Sequence, residues 1–455
     1  MGKITNSHVI YQLMGAGAMG FGSLVSLMVM GYTSPALPSM RADPNFSITP
    51  EQESWVGAVM PACGLLGSAA AGQLVDRLGR RATLLHLIWP FMLSWALIAV
   101  SDGVCGVLVG RMVAGVCVGV FTTARSVFLP ETVEHDLRNV SLVFPSIFSN
   151  LGLMVIYGAG QFLSWRGLAW LGFGLCLPIL ALLLPLPETP YHLTRTGRRK
   201  ESLSALQQLR RSAQDAEREQ QQISSSCSRN TAEVNIWELV QPPNLWPVGV
   251  AAGLMLTSQT TGMKAIVFFA SSILKGYSNA TPLLGLASFL GSVAGTFRLT
   301  RCKRRCLLQV STAIVVTSLL ILAVFCWAQE AGGALSVIAE TLHLVPVTTL
   351  VIYTLGCVLG WQSVPWVFLS EGMPSRVRSK AVAAAVASNW ALTFLVTKTF
   401  GWCLATAGAH TTFLGYAAVT IMCSGLVLRV MPETFGRSVA DMDRVYLTGE
   451  GKKDK

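Results

Sequence analysis

Three charged signatures occur twice in this chain, in the same order. Asp76-Arg77-Leu78-Gly79-Arg80-Arg81 has a counterpart in Thr300-Arg301-Cys302-Lys303-Arg304-Arg305. Glu131 and Arg138, seven apart, match Glu371 and Arg378, also seven apart. Pro187-Glu188-Thr189 matches Pro432-Glu433-Thr434. The partners are separated by 224 to 245 residues, the mark of a duplication that gives two parallel repeats with a solute site between them. Such groups can pair reversibly. An exposed ion pair is worth about 0–1 kcal/mol, so several together can hold one state and still separate in each cycle. This makes Asp76, Arg80, Arg81, Glu131, Arg138 and Glu188 gate candidates in the first repeat. Arg304, Arg305, Glu371, Arg378 and Glu433 are their counterparts in the second, the pairs closing across the halves when the inside is shut. The other role open to these charges is to anchor helix ends and fix topology.

Lys264 stands inside an apolar run. A charge at that depth costs about 2.5–3.5 kcal/mol on insertion scales, so it usually faces a cavity. There it can attract an anionic group, donate to a solute hydroxyl, or block the path; alternatively it snorkels to the headgroups. Arg125, near the end of the fourth apolar run, poses the same question. The first run carries no Asp or Glu, which argues against proton coupling there. The eleven cysteines are scattered, mostly within apolar runs, and read as small packing residues. No metal cluster, disulfide framework or nucleophile–base signature is found, so neither an enzyme nor a cofactor is expected.

The elements that must position these residues are membrane spans. The chain of 455 residues is 52% hydrophobic and 13% charged, where soluble domains carry about 25% charged residues. A span needs roughly 20 apolar residues, and twelve runs qualify: 11–30, 55–74, 82–100, 107–128, 140–163, 168–186, 245–273, 281–297, 307–328, 344–369, 381–404 and 411–430. The expected fold is an all-α membrane protein of two pseudo-symmetric six-helix bundles. Residues 1–190 form the first bundle, 191–240 a polar helical linker and 241–455 the second bundle. Lys3 precedes the first run, which is long enough to span and lacks a clear cleavage site.

The basic loops after runs 2, 8 and 10 predict the cytoplasmic side, and with it both termini. Net charge of +11 therefore reports topology and contact with anionic lipid, not nucleic acid. The sequons at Asn45 and Asn279 fall on expected outer loops.

Gly72-Gln73-Leu74-Val75-Asp76-Arg77-Leu78-Gly79-Arg80-Arg81 matches the major facilitator pattern G-x-x-x-D-[RK]-x-G-R-[RK] in full. Gly110-Arg111, Pro187-Glu188-Thr189-Pro190, Pro365-Trp366, Asn389-Trp390 and Pro432-Glu433-Thr434-Phe435-Gly436-Arg437 resemble signatures of its sugar porter branch. Ser34-Pro35-Ala36-Leu37-Pro38, Trp55-Val56 and Gly360-Trp361 are most similar to insect facilitated trehalose transporters. The resemblance implies the twelve-helix fold, a plasma-membrane location and a sugar-like solute, trehalose or a hexose, moved downhill. It also implies site residues: Gln259, Trp366, Asn389 and Trp390. The chain departs from the pattern where the solute should bind. Ser258 replaces the first helix-7 Gln, Lys264 replaces an Asn, and Ser146 replaces the helix-5 Gln. Buried hydroxyls need partners, so losing two amides and gaining an ammonium changes what the cavity can hold. A non-sugar, anionic solute and a non-transporting sensor on the same fold are the competing readings.

Overall fold

The computed structural model describes residues 7–229, 238–239, 241, 244–274, 277, 280–299, 301–331, 337, 341–342, 344–373 and 377–435; at 7, 135–143, 226–229, 272, 370–371 and 378–379 it describes backbone only. The regular elements among these residues are all helices. The elements are α1 Ser7–Gly31, α2 Thr33–Arg41, α3 Pro50–Leu78, α4 Arg80–Val100, α5 Val104–Thr132 and α6 His135–Ala159. Next come α7 Trp165–Leu175, α8 Leu177–Leu183, α9 Pro190–Arg195, α10 Arg199–Leu209 and α11 Ala213–Arg229. The second repeat holds α12 Leu245–Thr260, α13 Met263–Ile273, α14 Thr281–Leu299, α15 Arg304–Ala331, α16 Val345–Leu359, α17 Val364–Glu371 and α18 Arg378–Val430.

Nine of the described helices are long and apolar enough to cross a membrane. One of these, α18, has 53 residues. At 1.5 Å per residue it would extend about 80 Å, far beyond a bilayer core of about 30 Å. It crosses twice, bent at Gly408, where φ is +80°. With α7/α8, α12/α13 and α16/α17 each counted as one crossing, and α6 included, the twelve expected spans are present. Leu66, Trp89, Leu93, Val324, Trp402 and Leu426 are exposed on helix outer faces, as apolar side chains facing lipid should be.

Local sequence sets the ends. Thr49 and Gln52 form a reciprocal capping box at the start of α3, followed by Pro50, Glu51 and Glu53 in the first turn. Ser164 caps α7 by accepting from the Gly167 N–H. Between α3 and α5, glycines let backbones touch: a Cβ at Gly119 would lie 2.2 Å from the Gly64 carbonyl oxygen. Arg111 of α5, fully buried, ties this bundle together. It donates to the carbonyls of Val56 (3.2 Å) and Val29 and to the Thr33 hydroxyl (3.1 Å).

The linker helices dock on the first bundle. Gln12 of α1 donates to the Leu209 carbonyl at 2.7 Å, and Arg210 reaches the Thr132 carbonyl at 3.1 Å while pairing with Glu219 at 2.5 Å. This end of the molecule, which also holds Arg80 and Arg304, is its basic face.

The two bundles meet at the opposite face. Tyr157 donates to the Val267 carbonyl (2.6 Å), Ser34 and Ser271 share a hydrogen bond (2.9 Å), Gln161 donates to Thr281 (3.3 Å) and Lys398 to Ser54 (3.2 Å). The apolar core repeats this asymmetry. One cluster runs through the first bundle and continues across the opposite face into α13, α14 and α16. A second, built from Val250, Leu254, Leu307, Phe368, Val377 and Met431, belongs to the basic end of the second bundle alone. The arrangement is therefore closed at the opposite face, with separate cores at the basic end.

Candidate functional site

Two broken helices form the centre. The run 245–273 reads as one span but divides at Gly262, whose φ of +80° suits a residue without Cβ. The run 344–369 divides between α16 and α17, where Pro365 cannot donate a backbone N–H. Breaking a helix frees carbonyls, which in a bilayer must find partners within the protein. Here the two breaks satisfy each other. Tyr353 of α16 donates to the Thr261 carbonyl at 2.6 Å, and Ser258 of α12 donates to the Trp361 carbonyl at 3.0 Å. Thr420 of α18 donates to the Thr260 carbonyl at 3.0 Å.

Beside the first break lies a pair of amides. Gln259 Nε2 donates to Asn389 Oδ1 at 2.5 Å, and both residues are buried. The Thr393 hydroxyl lies 3.2 Å from Gln259 Oε1 and 2.7 Å from the Asn389 carbonyl. The Asn389 Nδ2 group keeps its N–H donors free of acceptors among the described residues. Trp390 packs on Gly64 of α3, at the interface of the bundles, and its buried Nε1 has no partner among the described residues. The Gln362 Oε1 atom in the second break is likewise buried without one. These are free donors and an acceptor, the kinds of group that a polyhydroxylated solute requires.

The remaining site residues divide. Ser258 is committed to the Trp361 carbonyl. Trp366 is 38% exposed, while Trp361, five residues earlier, is buried and donates to Thr312 at 3.0 Å. Ser146 is exposed and its hydroxyl makes no hydrogen bond among the described residues. Lys264 is half-buried at the start of α13, close to Cys357 of α16. Arg125 turns inward and donates to Ser23 of α1 at 2.6 Å. Thr393 escaped sequence reasoning; its place one turn beyond Asn389 was the available signal.

The charged signatures close within each bundle. Glu188 accepts from the backbone N–H groups of Arg80 (2.9 Å), Arg81 (2.9 Å) and Ala82 (3.0 Å), capping α4. Glu433 accepts from those of Arg304 (2.9 Å) and Arg305 (3.2 Å), capping α15 in the same way. Arg81 donates to the Leu183 and Leu184 carbonyls, and Arg305 to the Leu428 carbonyl, at the ends of equivalent helices. Arg80 pairs with Glu131 at 3.2 Å and with Asp76 at 3.6 Å, and lies over the Tyr191 ring; Arg304 lies over the Phe435 ring. The duplication read in the sequence is thus a duplication of structure. The side chains of Arg138, Glu371 and Arg378 lie outside the described residues.

The sequence model of the Sugar (and other) transporter family matches residues 19–446. The chain belongs to this family. Its members among curated proteins include a facilitated trehalose transporter, Tret1, of Polypedilum vanderplanki, 34% identical over 97% of this chain and 89% of that protein. Tret1 of Drosophila erecta is 36% identical over 95% of this chain and 51% of its own length. The chain thus spans most of one relative and about half of the other. Among solved structures, the partially occluded inward-open xylose transporter XylE from E. coli superposes with a TM-score of 0.77, at 17% identity, over 94% of this chain and 99% of that one. XylE bound to 6-bromo-6-deoxy-D-glucose gives 0.73 at 18% identity, over 96% and 99%. These likenesses establish the major facilitator fold.

Proposed function

We propose that the protein is a facilitative carrier that moves a sugar, trehalose or a hexose, down its gradient by alternating access. The observation that carries this reading is the buried Gln259–Asn389 pair of α12 and α18, with its free donors, next in sequence to Trp390, which packs against Gly64 of the other bundle. Gln259, Asn389, Trp390 and Trp366 hold the solute, with Ser258, Ser146 and Lys264 shaping the cavity. The basic face is cytoplasmic, so the state described opens inward, and both termini lie on that side of the plasma membrane. Residues 1–190 and 241–455 are the rocking units, joined by the linker 191–240. The Arg80–Glu131 cluster and the caps at Glu188 and Glu433, with Asp76, Arg81, Arg304 and Arg305, keep the cytoplasmic helix ends rigid while the two units approach and part. Arg138, Glu371 and Arg378 belong to the same gate. Asn45, exposed on the outer face, and Asn279, outside the described residues, are the glycosylation sites.

Uptake of labelled trehalose and glucose by oocytes expressing the chain tests the proposal, with surface expression measured in parallel. Saturable uptake that falls at least tenfold in Gln259→Leu is the expected result. Uptake no greater than in uninjected cells, with the protein at the surface, would refute it.

A further inference from the structure

The bundles touch along α3 and α18, and the contacts follow an antiparallel register. At the centre the Trp390 ring packs on Gly64, where a Cβ would lie 2.9 Å from it. Further along α18, the Thr397 methyl would lie 3.6 Å from a Cβ at Gly57. At the end of the line, Lys398 Nζ stands 4.1 Å from the centre of the Trp55 ring and 3.2 Å from the Ser54 hydroxyl. Trp390 and Lys398 are thus about 12 Å apart along the helix, on the stretch of α18 that also carries Asn389 and Thr393.

Lys398 lies on a membrane-spanning helix and has no carboxylate partner among the described residues. An ammonium at such a place usually has one. Here an indole face and a hydroxyl meet the charge, and both come from the other bundle. Rocking of two bundles about a central site keeps the contacts near the pivot and parts those at the ends. The Gly64–Trp390 contact lies near that pivot. The Lys398–Trp55 contact lies where the bundles must part when the face opposite the basic end opens. Its chemistry suits repeated breaking. An ammonium is strongly hydrated, so it can exchange the indole face for water entering a parted interface. A cation over an indole ring shifts a two-state balance about fivefold, enough to bias one state without locking it.

We propose that Lys398 and Trp55 form a clasp that holds this face closed, and that solute enters from that side only when the clasp releases. This deepens the carrier reading on which it rests, by naming a contact that sets the balance between the two access states.

The test uses the full chain in lipid nanodiscs. Ser34 is 1% exposed and meets Ser271 across the closed face. It is replaced by Cys, and its labelling by a charged maleimide is timed, with peptide mass spectrometry separating it from the native cysteines. Only molecules open at this face are labelled there, so the rate scales with their fraction. Lys398→Gln and Trp55→Leu should each raise the rate about fivefold, and the double variant should raise it no further than either alone. Lys398→Arg, which keeps a cation for the ring, should leave it unchanged. Rates unmoved by both single variants, or multiplying in the double variant, overturn the clasp, as does a Ser34→Cys thiol that is never labelled. If Lys398→Gln does not fold, Trp55→Leu and Trp55→Phe decide: the clasp requires the phenyl variant, which keeps a ring face for the cation, to label at a rate between Leu and Trp. Exchange of labelled trehalose and glucose is measured on the same protein in liposomes. Its absence removes the carrier reading, while the labelling rates still decide the clasp.

Discussion

Replacing Glu188 by Gln separates a structural role for the charged signatures from a role between the bundles. One carboxylate oxygen accepts from the Arg80 and Arg81 N–H groups and the other from Ala82, at 2.9–3.0 Å. An amide keeps one acceptor oxygen and turns an NH2 group toward an N–H that still needs a partner. It also removes the negative charge from the positive end of α4. A hydrogen bond to a charged acceptor contributes about 1.5–3 kcal/mol, and the helix-end charge about 0.3–1 kcal/mol. Because Glu188 is half-buried, the lower part of that range applies, and a loss of about 2 kcal/mol is expected. Thermal unfolding of the purified protein in detergent, followed by tryptophan fluorescence, should show a midpoint several degrees below that of the unmodified chain. Glu433→Gln, which disturbs the equivalent cap on α15, should do the same. An unchanged midpoint in Glu188→Gln, accompanied by lost transport, would refute the capping argument and place Glu188 in contacts between the bundles.

Three further outcomes follow from the geometry. Gly262→Ala forces a side chain into a left-handed conformation with the Tyr416 ring 3.2 Å from the new Cβ, a cost of about 1–2 kcal/mol; both the thermal midpoint and uptake should fall. Cysteines in place of Ser34 and Ser271, whose hydroxyls are 2.9 Å apart, should cross-link under mild oxidation and arrest transport, with recovery on reduction. His192 is buried and lies 3.4 Å from Arg80; burial holds its pKa below the usual 6.5. The unfolded chain therefore takes up a proton as pH falls below about 6.5 while the folded chain does not, so stability is lost in that direction until the folded imidazole itself titrates. Midpoints measured from pH 7.5 to 5 should decline, and His192→Gln should flatten the decline.

The spans were legible because so few charges interrupt them, and the duplication because its signatures sit at helix ends where charge tolerates little change of place. The break at Gly262 was not legible. A glycine within an apolar run is compatible with a continuous membrane helix, and the Tyr353 and Thr420 hydroxyls that satisfy the broken helix come from about 90 and 160 residues away. Arg111 shows the same limit: its type and position were visible, but its carbonyl partners on α1 and α3 were not. For Glu188 the residue pattern suits a cap and a gate equally, and only the three short contacts to α4 reveal the cap. In the site itself, Gln259 and Asn389 came from a resemblance, and their direct contact came from the fold.

Counterflow of labelled trehalose and glucose in liposomes containing only this protein tests the central claim most directly. The account predicts saturable, sodium- and proton-independent exchange that unlabelled sugar accelerates from the far side and that Asn389→Leu abolishes. Sugar that binds without crossing, or crosses only with an imposed proton gradient, would contradict it.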